Sequence, residues 1–384
     1  MDDMQIEGRD VVTGDGICVL VKEGCIHSIR PARVHEGHWI SAGLVDLQVN
    51  GFCGFDLNTD AMDTATVSAL TRQLLAVGVT TFAPTVITAS REQILSRVRA
   101  IAEARNADSI AAACIPFVHI EGPHISPVDG YRGAHPLEHV RPPSIEEFDA
   151  WQQASGNLVG LVTLSPHFDE SADYITSLVR RGVRVSIGHT HATEAQIHMA
   201  VEAGASLSTH LGNGAASTMA RHPNPIWSQL AEDRLQATFI ADGHHLPAEV
   251  LKVMLRAKTI ERSILVSDAV ALAGMPPGRY SAPIGGEVEL LANGRLGMVG
   301  TQSLAGAALP LIECIGNAIR MTGLPLVSVL KMASENPGKL ISPASMPRGQ
   351  LLPGMRADLL QFSWDQANCK AHVEKVWLAG EQVF

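Results

Sequence analysis

The sequence lacks an excess of positive charge. Among 384 residues, 29 Lys and Arg face 39 Asp and Glu, a formal net charge of −10. Nucleic acids and anionic membranes are held by basic surfaces, so neither is expected as a partner. An anionic small molecule would need local cations set against the overall field. Long apolar runs are also missing: none reaches the ~18 residues expected of a membrane span. The first residues, MDDMQIEGRD, are acidic and hold no apolar segment, so no signal peptide is expected there. The six cysteines (Cys18, Cys25, Cys53, Cys114, Cys314, Cys369) include no CxxC pair. They read as free thiols in a reducing compartment rather than as a disulfide framework, which points to the cytoplasm. There is no repeat at solenoid periods, no low-complexity tract, and no glycine-rich phosphate fingerprint after the first strand-like run.

What is present is a well-packed globular composition, 46% hydrophobic and 18% charged. The length suits one large domain of about 250–300 residues with a smaller unit beside it. Both ends alternate short β-like runs with glycine turns, as in VVTGDG, ICVLVKEG and CIHSIRP near the start and ADLLQFSWD and HVEKVWLAGEQVF at the end. These read as one small sheet built from both termini. Between them, eight apolar runs of strand length recur: GLVDLQV, GVTTFAPTV, CIPFVHI, LVGLVTL, GVRVSIG, GASLSTH, LQATFIA and RSILVSD. Amphipathic segments such as TATVSALTRQLLAVG, REQILSRVRAIAEAR and AEVLKVMLRAK separate many of them. Near-continuous apolar strands alternating with helices imply a parallel sheet buried on both faces, and eight strands close a (β/α)₈ TIM barrel. The alternative is an open doubly wound sheet. The expected division is residues 1–42 and 346–384 as the two parts of a small β-sandwich and 43–345 as the barrel. AGMPPGRYSAPIGG (273–286) reads as a loop after the eighth strand, and EVELLANGRLGMVG as a hairpin around Asn293-Gly294.

In a barrel, chemistry gathers at the C-terminal ends of the strands. Those ends supply Gln48 and Asn50 after the first run, Glu121 after the third, His189 after the fifth, His210 after the sixth, His245 after the seventh and Asp268 after the eighth. Any one of the 16 histidines is more often a surface or core residue than a ligand. Two carboxylates and two imidazoles at strand ends on one rim are a different matter. Glu121, His189 and His210 make a three-ligand divalent-metal site, suited to zinc, with a position left for water. The ion would lower the pKa of that water toward neutrality, and Asp268 would carry its proton. His124, His191, His222 and His244 read as loop or supporting residues, while His167, closing LVTLSPH, is left open between site and structure.

The ordered set GLVDLQVNG, HIEGP, RGAH, SIGHT, THLGN, IADGHH, LVSDA, GTQSLAGAA and PGMRADLL resembles the N-acetylglucosamine-6-phosphate deacetylases of the amidohydrolase superfamily, nearly end to end. The resemblance implies a metal-dependent barrel with a terminal β-sandwich, acting on an amino sugar phosphate in a homodimer. Glu121, His189 and His210 would hold one divalent ion per subunit, zinc first, with Fe2+, Co2+ or Mn2+ as alternatives. Asp268 would be the general base and acid, and His135 in RGAH would polarise the amide carbonyl. Asn213, Gly214, Arg221 and His245 would contact the sugar phosphate, with Arg221 reaching the neighbouring subunit's site. Many amidohydrolases carry His-x-His at the first strand end. Here it reads Gln48-Val49-Asn50, and amides are weak ligands, so Gln48 and Asn50 are read as weak ligands or as partners of the ligands.

The chain departs from the family in the loop after His210. It has GNGAAS where an aromatic residue and NAM are usual, and HPNPIWSQLAED follows Arg221. N-acetylgalactosamine-6-phosphate, or an N-acyl amino acid, therefore stands as the alternative substrate, and a sugar-phosphate binding protein without activity as a further reading.

Overall fold

A computed structural model describes residues 4–34, 37–282, 286–341 and 347–384. Eight parallel strands follow one another around a barrel: Leu44–Val49, Val79–Ile87, Val118–Glu121, Val159–Leu164, Arg184–Ile187, Leu207–Ser208, Gln236–Ile240 and Ser263–Val266. The ring closes just past the ends of the last and first strands. Asp268 N donates to Gln48 O at 3.0 Å and Asn50 N to Ala269 O at 2.8 Å. The closure explains the composition of the first strand, whose six residues, LVDLQV, are all buried. Helices cover the outside, and local sequence sets where they begin. Ser90 and Gln93 form a reciprocal capping box at the start of Arg91–Ala107, and Thr193 and Gln196 do the same for Glu194–Glu202.

The termini form a single seven-stranded sheet. Its order is Glu381–Gln382, Lys370–Leu378, Leu359–Asp365, Trp39–Ala42, Met4–Asp10, Gly16–Lys22 and Cys25–Pro31. Trp39–Ala42 sits in the middle, antiparallel to Leu359–Asp365 and parallel to Met4–Asp10. The sheet curls over a core of its own that includes Ile6, Val19, Ile26, Ile40, Leu359 and Trp377. Its edge then returns on the C-terminal segment, where Ile26 N donates to Met355 O at 2.8 Å and Ala357 N to Gly24 O at 2.9 Å. This is the packed β unit expected from both ends.

Two expectations need correction. The third barrel strand is shorter than CIPFVHI. Cys114 ends a helix, Ser109–Cys114, that Asp108 caps by accepting from Ile110 N and Ala111 N, so the strand begins only at Val118. Residues 273–286 are not all loop. Gly278–Ala282 opens a four-stranded antiparallel sheet completed by Gly286–Leu290, Arg295–Met298 and Leu304–Ala307, with the expected hairpin at Asn293-Gly294 as its central turn. Residues 283–285 of that stretch, and the expected boundary between 345 and 346, lie outside the described residues. No disulfide is found among the described residues, and all six cysteines are free. No described helix is long and apolar enough to cross a membrane.

Candidate active site

Three barrel strands end in the same way. His189, His210 and Asp268 each lie two residues beyond their strand, and each has a left-handed backbone, with φ of 47°, 29° and 51°. That conformation costs a side-chain-bearing residue roughly 1–3 kcal/mol and persists only where surrounding structure imposes it. Here it turns three polar side chains over one rim. Glu121, the last residue of its own strand, joins them.

The ligand atoms of Glu121, His189 and His210 all lie within 4.8 Å of one another, and all three residues are buried. Glu121 Oε1 is 3.0 Å from His210 Nε2 and 3.4 Å from His189 Nε2, and the two Nε2 atoms are 3.2 Å apart. Donors bound tetrahedrally at ~2.0–2.2 Å from one ion stand about 3.3–3.6 Å from each other, so the triangle need open only by a few tenths of an ångström to take a small divalent cation. His189 Nδ1–H donates to Tyr131 O at 3.0 Å, which leaves Nε2 as the ring nitrogen turned into the triangle. Burial alone would push the Glu121 carboxyl up. Hydrogen bonds and charge from His189 and His210 outweigh it and hold the carboxyl well below its ordinary value. His210 is likewise pushed down by burial but raised overall by Glu121. The pocket attracts positive charge.

The other strand-end residues surround that triangle. Gln48 donates its side-chain amide to Glu121 Oε1 at 2.9 Å, so it partners a ligand. Asn50 donates to Asp268 Oδ1 at 2.8 Å. In the metal-free chain, burial, and then the Glu121 charge, raise Asp268 to about 6. His135 is buried with its ring 4.4 Å from that of His189, and Thr88 Oγ1 lies 2.8 Å from its Nδ1. Burial, with His189 adding to it, lowers His135 to about 3, so it acts as a neutral imidazole.

Around the sixth strand, Asn213 N donates to His210 O at 2.9 Å, while its buried Nδ2 has no partner among the described residues. Gly214 has φ of 56° and packs on the His189 ring so closely that a Cβ would stand 2.8 Å from Nδ1. His245 Nδ1 is held by Asp242 Oδ2 at 2.7 Å, and Arg221 is exposed on the loop.

The remaining histidines are placed by other contacts. His124 is sealed between Trp151 and Tyr174, and His244 Nε2 lies 3.1 Å from Asn293 O. His167 pairs with Ser165 Oγ at 2.7 Å and packs on His191, so the structure gives it a supporting contact rather than a place in the triangle. His222 is exposed in the loop after Arg221. His119, passed over in the sequence, lies inside the barrel between Thr85 and Thr163, and burial lowers it to about 4.

Asp46 was also missed. It is fully buried, and its carboxylate accepts from Ser267 N at 3.2 Å and Gln48 N at 3.3 Å, pinning the first strand to the eighth just beneath Asp268. Burial raises it to about 7 against the opposing hydrogen bonds of Ser267 and Gln48. The folded chain therefore keeps a proton that the unfolded chain, titrating near 3.9, has released. Asp46 thus subtracts stability as pH rises from about 4 to about 7. In metal-free protein, the stability of Asp46→Asn relative to the parent is expected to grow by on the order of 2–3 kcal/mol between pH 5 and pH 8, read from denaturant midpoints. A difference independent of pH would show that Asp46 ionises as readily inside the barrel as outside it.

Comparisons with known proteins agree with this fold. The family model described as the amidohydrolase family matches residues 39–383. The N-acetylgalactosamine-6-phosphate deacetylase of Escherichia coli is 30% identical over 366 residues, covering 94% of this chain and 93% of that protein. The N-acetylglucosamine-6-phosphate deacetylase of Bacillus subtilis is 31% identical over 325 residues, covering 84% of this chain and 80% of that protein. Among solved structures, the N-acetyl-D-glucosamine-6-phosphate deacetylase of Mycobacterium smegmatis in complex with N-acetyl-D-glucosamine-6-phosphate superposes with a TM-score of 0.85 at 26% identity, covering 100% of both chains. A closed eight-stranded barrel, a buried Glu/His/His triangle on its rim and a family match across nearly the whole length lead to one conclusion: the chain belongs to the amidohydrolase family, whose members are metal-dependent hydrolases.

Proposed function

We propose that this protein removes the acetyl group from N-acetylglucosamine-6-phosphate, giving glucosamine-6-phosphate and acetate. The observation that carries the reading is the gathering of the Glu121–His189–His210 triangle, Asp268 and His135 on one barrel rim. The donor set favours one zinc ion per subunit, with Fe2+, Co2+ or Mn2+ as chemically close substitutes. When bound, the ion supplies Lewis acidity to the amide carbonyl and to the attacking water.

The side chains do the rest. Asp268, steadied by Asn50, takes a proton from water as it attacks the acetamide carbon and returns it to the nitrogen as the C–N bond breaks. Neutral His135 donates to the carbonyl oxygen as negative charge develops there, a contribution commonly worth ~3 kcal/mol. Asn213, with its unpartnered Nδ2, and the Gly214 backbone face the sugar or its phosphate, and His245 contributes to the phosphate contacts. Arg221 is exposed on the single chain, which suits a side chain serving the neighbouring site of a homodimer. The acidic net charge, the free cysteines and the sugar phosphate substrate accord with a cytoplasmic catabolic enzyme.

The second reading is the galactosamine epimer. It is favoured by the altered loop at 212–217 and by the E. coli relative of that name. Acetate release by zinc-loaded protein from N-acetylglucosamine-6-phosphate, N-acetylglucosamine and N-acetylgalactosamine-6-phosphate separates the readings. The first compound is expected to exceed the second by at least about 100-fold in kcat/KM, the effect of about two good charge-assisted contacts. Preference for the third would transfer the assignment to the epimer. Three intact sugars with the ion bound would end the deacetylase reading.

A further inference from the structure

We propose that Thr88 is a positioning residue for His135: its hydroxyl donates to Nδ1 and so keeps the imidazole proton on Nε2, the nitrogen that must donate to the substrate carbonyl. The inference rests on the reading of His135 as the carbonyl donor.

Thr88 follows the second barrel strand directly and is buried. Its Oγ1 has one proton to give and two acceptors within range. His135 Nδ1 is 2.8 Å away, whereas Glu121 O is 3.5 Å away, at the limit of a hydrogen bond. If Nδ1 carried the hydrogen instead, the Thr88 proton would be left with only the 3.5 Å contact to Glu121 O, so the geometry favours donation to Nδ1. With Nδ1 thereby an acceptor, a neutral imidazole carries its hydrogen on Nε2. The opposite arrangement would leave Nε2 as a lone pair facing the carbonyl oxygen, unable to stabilise developing negative charge.

The hydroxyl is also held in place. A Cβ at residue 122 would lie 2.1 Å from Thr88 Oγ1, so Gly122 both tolerates its φ of 79° and leaves the space that the hydroxyl fills. Arg132 Nη1 donates to His135 O at 2.7 Å and its other terminal nitrogen pairs with Asp129, stapling the loop that carries the imidazole. Backbone and ring are therefore fixed independently, the backbone by Arg132 and the ring by Thr88.

The test uses full-length, zinc-loaded protein labelled with 15N-histidine. In the parent, two-bond 1H–15N spectra should show His135 with Nε2 protonated and Nδ1 as a hydrogen-bonded acceptor. Finding Nδ1 protonated would overturn the proposal outright. Thr88→Ser, which keeps the hydroxyl, is expected to hold both the spectrum and kcat near the parental values. Thr88→Val, which replaces the hydroxyl with a methyl group of similar size, should move the Nδ1 resonance to that of an unbonded nitrogen. It should lower kcat by about 10–100-fold, short of the ~10²–10³ lost with an oxyanion donor, with KM and zinc content nearly unchanged. Equal losses in the Ser and Val variants would reduce Thr88 to a packing role, as would a Val variant with parental kcat. His135→Asn is the control for the reading beneath: parental turnover there would sink the donor role of His135 while the spectra still report on Thr88.

Discussion

Asp268→Asn is expected to lower kcat by about 10³–10⁴-fold while leaving bound zinc and thermal stability close to the parent. The carboxylate is hydrogen-bonded by Asn50 at 2.8 Å and lies outside the Glu121–His189–His210 triangle. Asparagine fills the same volume but cannot accept a proton from water or return one to the leaving nitrogen. The loss should therefore fall on kcat and leave KM largely alone, because ground-state contacts to the sugar phosphate persist. Elemental analysis of the purified variant beside its steady-state kinetics decides the point. A variant emptied of zinc would make Asp268 a ligand, and its proposed role as proton carrier would go.

Glu121→Ala should do the reverse. The carboxylate is the only anion in the triangle, and both imidazoles approach the same oxygen, Oε1. Without it, two neutral imidazoles remain to hold a doubly charged ion in a buried pocket. Zinc content is expected to fall from about one to below roughly one tenth per chain, and turnover to disappear with it. A second readout is independent of catalysis. Zinc added to the apo parent should raise the unfolding temperature, since a ligand that binds only the folded state stabilises it, and the variant should show no such rise. A full zinc-dependent rise in Glu121→Ala would move the metal site elsewhere on the rim.

The meeting of Glu121, His189 and His210 on one rim was readable because a barrel imposes a simple rule on its strands. Glu121, His189, His210 and Asp268 each interrupt an apolar run where the chain leaves the barrel wall, and a polar group there has few reasons to exist other than function. The groups in contact with the rim residues and their strands were not readable. Tyr131 acts through its carbonyl, which no side-chain pattern reveals. Thr88 stands in TVIT, where a β-branched residue is what any strand favours. Asp46 alternates with Val45 and Leu47 like the polar face of a half-exposed strand, although the closed ring buries it fully. In the fold, Gly278–Ala282 was hidden by the prolines and glycines around it. It is an edge strand whose residues alternate between exposed and half-buried, so it carries little apolar signal.

The place of Trp39–Ala42 in the terminal sheet sets an order of events during synthesis. All eight barrel strands are encoded by residue 266, so the ring can begin to assemble while the chain is still being made. One side of Trp39–Ala42, however, waits for Leu359–Asp365, which is made much later than the strand it pairs with. Until then it offers a row of unpaired backbone groups beside the buried apolar side chains of Ile6 and Ile40. A translational pause shortly before residue 359 would prolong that exposure, and it is in such stalled chains, rather than in the finished protein, that strand-to-strand aggregation should begin.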